Sequence, residues 1–246
     1  LPEMTHSPRI RAGIRADDPK FASVVQALTL LALAIATGAI SYVMFFAIIP
    51  SSFENLGFAW SIALAPFVTC VAILLFGLLA ITLTVFAKWI LLGEVRAITT
   101  PVFSATYLRH WIVEQFARLI PWGLIEGTVF YNSVLRLLGA KIGKRVHIHR
   151  GVELRRGGWD LLTIGDDVTL AQESTLTLID LRDGQFILAP ITIGDRCTVD
   201  VRAGLGQHAE MQSDSSLAPL SWLDDAACIP QGEKWDGVPA IKVAIN

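Results

Sequence analysis

Charge is scarce in this sequence. Asp, Glu, Lys and Arg make up 17% of its 246 residues, apolar residues make up 53%, and the mean hydropathy is +0.53. An ordinary soluble domain carries about 25% charged residues, so membrane spans are the first thing to look for. The net charge of -2 leaves no basic footprint, which argues against nucleic acid as a partner. Cysteine is scarcer still. Cys70, Cys197 and Cys228 are too few and too scattered for a disulfide framework or a metal knuckle, and read as small apolar side chains.

The missing charges are concentrated. None stands between Phe21 and Phe53, and none between Phe58 and Ala87. Each run exceeds the roughly 20 residues that carry a helix across about 30 Å of hydrocarbon. A signal peptide has a shorter apolar core and comes alone. The expected organisation is an N-terminal segment 1–20, spans at 21–50 and 58–92 with Pro50–Gly57 as the loop between them, juxtamembrane amphipathic helices at 93–140, and a β domain at 141–246. Arg9, Arg11, Arg15 and Lys20 precede the first span, Lys88, Arg96, Arg109 and Arg118 follow the second, and the loop has no Lys or Arg. The positive-inside rule then places both ends and the β domain in the cytoplasm, in a bacterial inner membrane, with lipid as a partner. The chain begins at Leu1 rather than Met, as a processed chain or a piece of a longer parent does.

Leu108, Trp111, Ile112, Phe116, Leu119 and Ile120 recur at helical spacing, with Ser104 as N-cap, Pro121 as stop, and Arg109, Glu114, Gln115 and Arg118 on the other face. This stripe suits either the headgroup layer or the β domain. A second helix is expected over 124–138, ending at Gly139.

The remainder steps by six. Ile193, Val199, Leu205, Met211 and Leu217 keep the period, as do Ile142, Ile148 and Leu154, and Ile164, Leu170 and Leu176. Small or branched residues stand four later, at Val146, Val152, Val168, Cys197, Ala203 and Ala209. Six residues turn a helix by about 600°, well off one face, and hairpins need turns at another spacing. The pattern fits a left-handed parallel β-helix of about four coils, in which three hexads close one triangular coil of about 18 residues. Gly143, Gly165, Gly194 and Gly206 follow aliphatic positions, where corners are expected to need unusual backbone angles. Two stretches break the register, one around Arg155–Asp160 and one around Asp180–Gly184. Insertions in solenoids map to loops, often on the binding face.

Asp160, Asp166 and Asp167 flank the first break, where corner carboxylates either cap turn amides or touch substrate. Trp159 is a coil-edge wall or an acyl-chain contact. His147 and His149 alternate with inward residues and point outward, as does His208. These three lack the grouping of a zinc site, so no metal is expected. His6 and His110 lie in the N-terminal segment and the amphipathic helix.

Four segments stand in a telling order: Leu135–Gly143, Asp160–Asp166, Ala189–Gly194, and Ile229–Ala240 with its closing Gly237-Val-Pro-Ala. Joined to a helix pair, they resemble the C-terminal region of ε-poly-lysine-synthetase-like non-ribosomal peptide synthetases, where membrane helices alternate with acyltransferase-like β-helix domains. The resemblance implies a membrane-anchored acyl- or aminoacyl-transferase-like condensation domain. Its reaction is attack of an amine on a phosphopantetheine thioester, carried by a peptidyl carrier domain or CoA, with no permanently bound cofactor. It also implies like β-helix domains packed as a trimer or pseudo-trimer, with outward residues facing the neighbouring prism. His208 is then a candidate base or a surface histidine. Thr177 and Gly237 are implied on the substrate side. The family carries a Thr-His pair before the segment at Ala189; here Thr177–Asp183 has no histidine, leaving Asp180 or Asp183 as bases if buried. Ala189 and Asp200 also replace family glycines. Two other readings stand beside this one: a CoA-dependent acetyltransferase acting on a sugar or amine, and a non-catalytic β-helix scaffold, which the missing histidine favours.

Overall fold

The computed structural model describes residues 19–243, so most of the expected segment 1–20, with Arg9, Arg11, Arg15 and His6, lies outside the described residues. Helix α1 (Pro19–Val43) runs through a π-helical turn, Met44–Ile48, into α2 (Ile49–Leu56). The expected loop at Pro50 is therefore helical. Proline lacks the N–H that an interior helix position uses. The wider turn just ahead of it loosens the ladder, and Pro50 enters as the first residues of α2, where that N–H is not needed. The chain reverses only at Gly57, where φ 74° and ψ 161° suit glycine. Across the reversal the Ser61 hydroxyl donates to the Ser52 carbonyl at 3.0 Å. Helix α3 (Phe58–Leu91) returns. The apolar stretches Lys20–Asn55 and Phe58–Leu91 have 36 and 34 residues, roughly 50 Å each at about 1.5 Å per residue. Their polar side chains turn inward on the ladder: Thr29, Thr37, Thr82 and Thr84 donate to carbonyls four residues back.

The last turns of α3 have two faces. Gly77, Ala80, Thr84 and Lys88 are buried, while Leu78, Leu79, Phe86 and Ile90 are exposed. The buried stripe docks on α4 (Ala105–Ala117), which Ser104 caps by accepting from the Tyr107 N–H at 3.2 Å. Pro121 lies so near Gly77 that a β-carbon there would come within 3.2 Å of its ring. Helix α4 also packs against α1, so little of it is free. Gln115, expected on the polar face, is buried.

The expected second helix is two. Helix α5 (Trp122–Ile125) and α6 (Val129–Leu137) are separated by Gly127 at φ 75°, and Thr128 caps α6. The break turns α6 across the open end of the β domain. Tyr131, Val134, Leu135 and Leu138 are buried there. The Tyr131 hydroxyl donates to Val152 O at 3.1 Å, Asn132 Nδ2 to Val146 O at 2.8 Å, and Arg136 Nε to Ile142 O at 3.0 Å. These groups cover an edge that would otherwise invite strand pairing.

The β domain is a three-sided parallel β-helix. One face carries Lys141–Ile142, Leu162–Ile164, Ile191–Ile193, Glu210–Met211 and Cys228–Ile229. A second carries His147–Ile148, Thr169–Leu170, Thr198–Val199, Ser216–Leu217 and Lys234–Gly237. The third carries Thr175–Leu176, Gly204–Leu205 and Trp222–Leu223. Val199 pairs with Leu170 and Leu217, and Leu205 with Leu176 and Leu223, so the inward residues stack coil on coil. The far end closes where Lys234–Gly237 pairs antiparallel with Ala240–Lys242.

The corner glycines have a different reason from the expected one. The left-handed position falls three residues after the aliphatic, at Arg145, Asp167, Arg196, His208 and Asp214. Gly194 instead sits where a β-carbon would approach the Ser213 backbone nitrogen of the next coil to 2.7 Å. Lack of room, not positive φ, demands glycine there. Facing side chains tie one corner, Arg145 to Asp167 at 2.5 Å and Arg196 to Asp214 at 2.6 Å.

Candidate functional site

Both register breaks leave the column at the same corner, the one occupied by Gly206–His208 and then Asp224–Ala226 in later coils. The first is a loop ending in the tight helical turn Trp159–Leu161. The second is a hairpin of Ile179–Arg182 and Gln185–Leu188, turned by Asp183 and Gly184 at φ 51° and 72°. Ile98–Pro101, from the segment after α3, adds to the hairpin as a third antiparallel strand. Helix α4 lies alongside. Between α4, the loop and the hairpin is a cleft of about 650 Å³. Its walls include Tyr107, His110, Arg118, Arg155, Asp180 and Phe186. A neighbouring hollow of about 310 Å³ shares Glu153, Arg156 and Ile179 with it and is lined by Thr177.

His110 is the chemically distinctive group. Only 6% of it is exposed. Its ring lies 5.3 Å from that of Phe186 on the hairpin and makes no hydrogen bond among the described residues. Burial lowers its pKa to about 4, against the weaker opposing pull of Asp160, so the imidazole is neutral near pH 7. Its neighbours are already paired. Arg118 holds Glu114 at 2.9 Å, Arg155 holds Glu126 at 2.5 Å, Arg156 holds Glu153 at 3.4 Å, and Arg182 holds Asp180 at 2.7 Å.

The sequence candidates scatter across the fold. Asp180 and Thr177 line the two hollows. Asp183 is exposed at the hairpin tip. His208 is exposed on the same corner, one coil further on, and has no carboxylate partner among the described residues. Its neighbour Gln207 donates to Ile187 O of the hairpin at 3.4 Å. Trp159 is 1% exposed and donates to Leu154 O at 2.7 Å, which makes it packing for the loop. Asp160 is taken up in full by structure: one oxygen accepts from Lys88 at 2.8 Å and the other from the Val95 N–H at 3.1 Å, so neither points at a ligand. Asp166 accepts from the Lys144 N–H at 2.6 Å as a corner cap. Gly237 lies in the closing strand, at the opposite end of the column from α6. His110 carried no mark in the sequence beyond falling on a partly apolar helix.

The buried imidazole gives a pH signature. Unfolded His110 titrates near 6.5 and the folded one near 4, so the unfolded chain holds the extra proton between these values. The contribution of the neutral His110 to stability is fully present above pH 6.5 and is lost as pH falls toward 4, by about 3 kcal/mol. Unfolding midpoints of the detergent-solubilised chain between pH 4.5 and 7.5 should show this slope, and His110→Gln should flatten it. An unchanged slope in the variant would remove His110 as its source.

No protein-family model matches the chain. A curated relative, the Delta-poly-L-ornithine synthetase of Acinetobacter baumannii, is 29% identical over 161 residues, which are 65% of this chain. The match spans 12% of that relative's length. Among solved structures, a hexapeptide-repeat acetyltransferase from Vibrio cholerae is 20% identical, with a TM-score of 0.39 over 44% of this chain and 62% of its own. A maltose O-acetyltransferase from Clostridium difficile is 15% identical, with a TM-score of 0.42 over 63% of this chain and 95% of its own.

Proposed function

We propose that the chain is a membrane-anchored condensation unit that forms amide bonds by passing an acyl or aminoacyl group from a phosphopantetheine thioester to an amine. The observation that carries the reading is the cleft. Two insertions that break the six-residue register project from one corner and, with α4, wall a cleft beside the buried His110. The resemblance to part of a poly-L-ornithine synthetase supports amide formation in particular. The reading includes α1–α3 as spans of a bacterial inner membrane, with both ends and the β-helix cytoplasmic, and like domains packed beside this one.

The donor is a substrate, brought by CoA or a carrier domain. The amine nitrogen bonds to the thioester carbon, whose oxygen becomes the oxyanion of a tetrahedral intermediate. The C–S bond then breaks and the sulfur leaves as thiolate. One proton must pass from nitrogen to sulfur. A neutral imidazole in the wall can accept it and return it. Asp180 offers a carboxylate to an incoming ammonium if Arg182 swings away, and Thr177 lines the adjoining hollow. His208 and Asp183 serve only where a neighbouring prism closes over that corner.

The test uses the whole chain in nanodiscs, with aminoacyl thioesters on phosphopantetheine or CoA, a set of diamines, and amide product read by mass spectrometry. His110→Asn is expected to lower kcat about 10²–10⁴-fold. Full turnover in that variant would move the chemistry elsewhere, and His208→Ala is the next variant. A second reading, the non-catalytic scaffold, is favoured by the pairing of each charged cleft residue. It predicts no product from either donor.

A further inference from the structure

Charge is unevenly distributed along the β-helix. Residues 136–156, the C-terminal end of α6 and the first coil, hold seven Lys or Arg and one Glu. Residues 157–243 hold five Lys or Arg and fourteen Asp or Glu. The basic end is the end that α6 covers. Lys141, Lys144 and Arg150 are exposed there, and no carboxylate pairs with them among the described residues. Helix α6 has two apolar faces. One closes the column. The other is bare: Val129, Phe130 and Leu137 are 73%, 66% and 55% exposed. This bare face runs into the apolar surface of α3. The Trp89 indole donates to Leu137 O at 3.2 Å, and Phe86, Trp89 and Leu137 line one apolar groove of about 260 Å³.

We infer that the bare face of α6 and the basic rim of the first coil form a second membrane contact, seated in the headgroup layer of a bilayer containing anionic phospholipid. Two observations select lipid over an acidic protein. The apolar face is continuous with the exposed side of a helix long enough to cross a membrane, and the cations flank α6, Lys141 and Lys144 following its C-terminal end and Arg150 lying against Gly127 just ahead of its first turn. An in-plane helix with apolar residues below and cations at its border matches a monotopic contact. The acidic remainder of the column is then repelled by the same surface, so the β-helix points away from the bilayer. The inference rests on the membrane reading of α1–α3.

The test places a reporter on α6 of the full chain. Phe130→Cys, in a background with Cys70→Ser and Cys228→Ser, is labelled with a polarity-sensitive dye. The chain is reconstituted in phosphatidylcholine vesicles with or without phosphatidylglycerol, and quenching by lipids spin-labelled near the headgroup is measured. Quenching is expected to be roughly fivefold greater with phosphatidylglycerol. The triple variant Lys141→Glu, Lys144→Glu, Arg150→Glu should abolish that difference without loss of folding. A label that stays water-exposed in both lipids overturns the inference, as does one shielded only when an acidic carrier protein is added. Alkaline extraction reads the spans separately. A chain that resists extraction but shows a water-exposed label keeps the spans and loses this contact. An extractable chain with a quenched label loses the spans and keeps the contact.

Discussion

Lys88→Met is expected to lower the stability of the folded chain by about 3–5 kcal/mol, because it strands a carboxylate where water does not reach. Lys88 is fully buried at the foot of α3, and its ammonium lies 2.8 Å from Asp160 on the first insertion. The same ammonium stands 3.5 Å from the centre of the Trp89 ring. Asp160 also accepts from Val95, in the segment that leaves α3. Gly139, at φ 113°, leaves the space in which the pair sits, since a β-carbon there would strike Asp160 and crowd Lys88. One ion pair thus fastens the long helix to the loop that walls the cleft. The double variant Lys88→Met, Asp160→Leu should recover much of the loss, because no charge is then left unpaired. Urea or thermal unfolding in one detergent decides it. If the single and double variants lose equally, the pair's contribution is packing and not charge.

Leu205→Ala should lower stability by about 2–5 kcal/mol by opening a cavity in the column. Leu205 is fully buried and stacked between Leu176 and Leu223 in the parallel ladder. The surrounding coils cannot close the gap, because their spacing is fixed by backbone hydrogen bonds such as Thr177 N to Leu205 O at 3.0 Å and Gly206 N to Leu223 O at 2.8 Å. Leu220 is the control. It is 66% exposed at a corner, and Leu220→Ala should change stability by no more than about 0.5 kcal/mol. Equal losses at the two positions would mean that the six-residue step does not mark the core.

The column was legible because its rule is local and repeated. A large aliphatic side chain points inward once in six residues, with a small or branched one buried four later. The same rule exposed the two insertions as breaks in register. The helix pair was legible for a similar reason, since long runs without charge have few other uses. The sequence could not say what the corner glycines avoid, because the collision at Gly194 is with Ser213 of the next coil. Nor could it show that a π-helical turn carries the helix past Pro50, or that Gly127 swings α6 over the open end.

What the order of residues determined alone is periodicity: six for the coils, helical spacing for α4, unbroken apolarity for α1 and α3. Those patterns depend on neighbours near in the chain, and backbone geometry translates them directly. What only the tertiary structure decided is pairing at a distance. Asp160 joins Lys88 from 72 residues away and thereby becomes a structural group. His110 meets Phe186 of the hairpin and becomes a buried imidazole whose pKa burial lowers to about 4. The environment of a titratable side chain is set by whichever segments fold against it, and no local spacing records that.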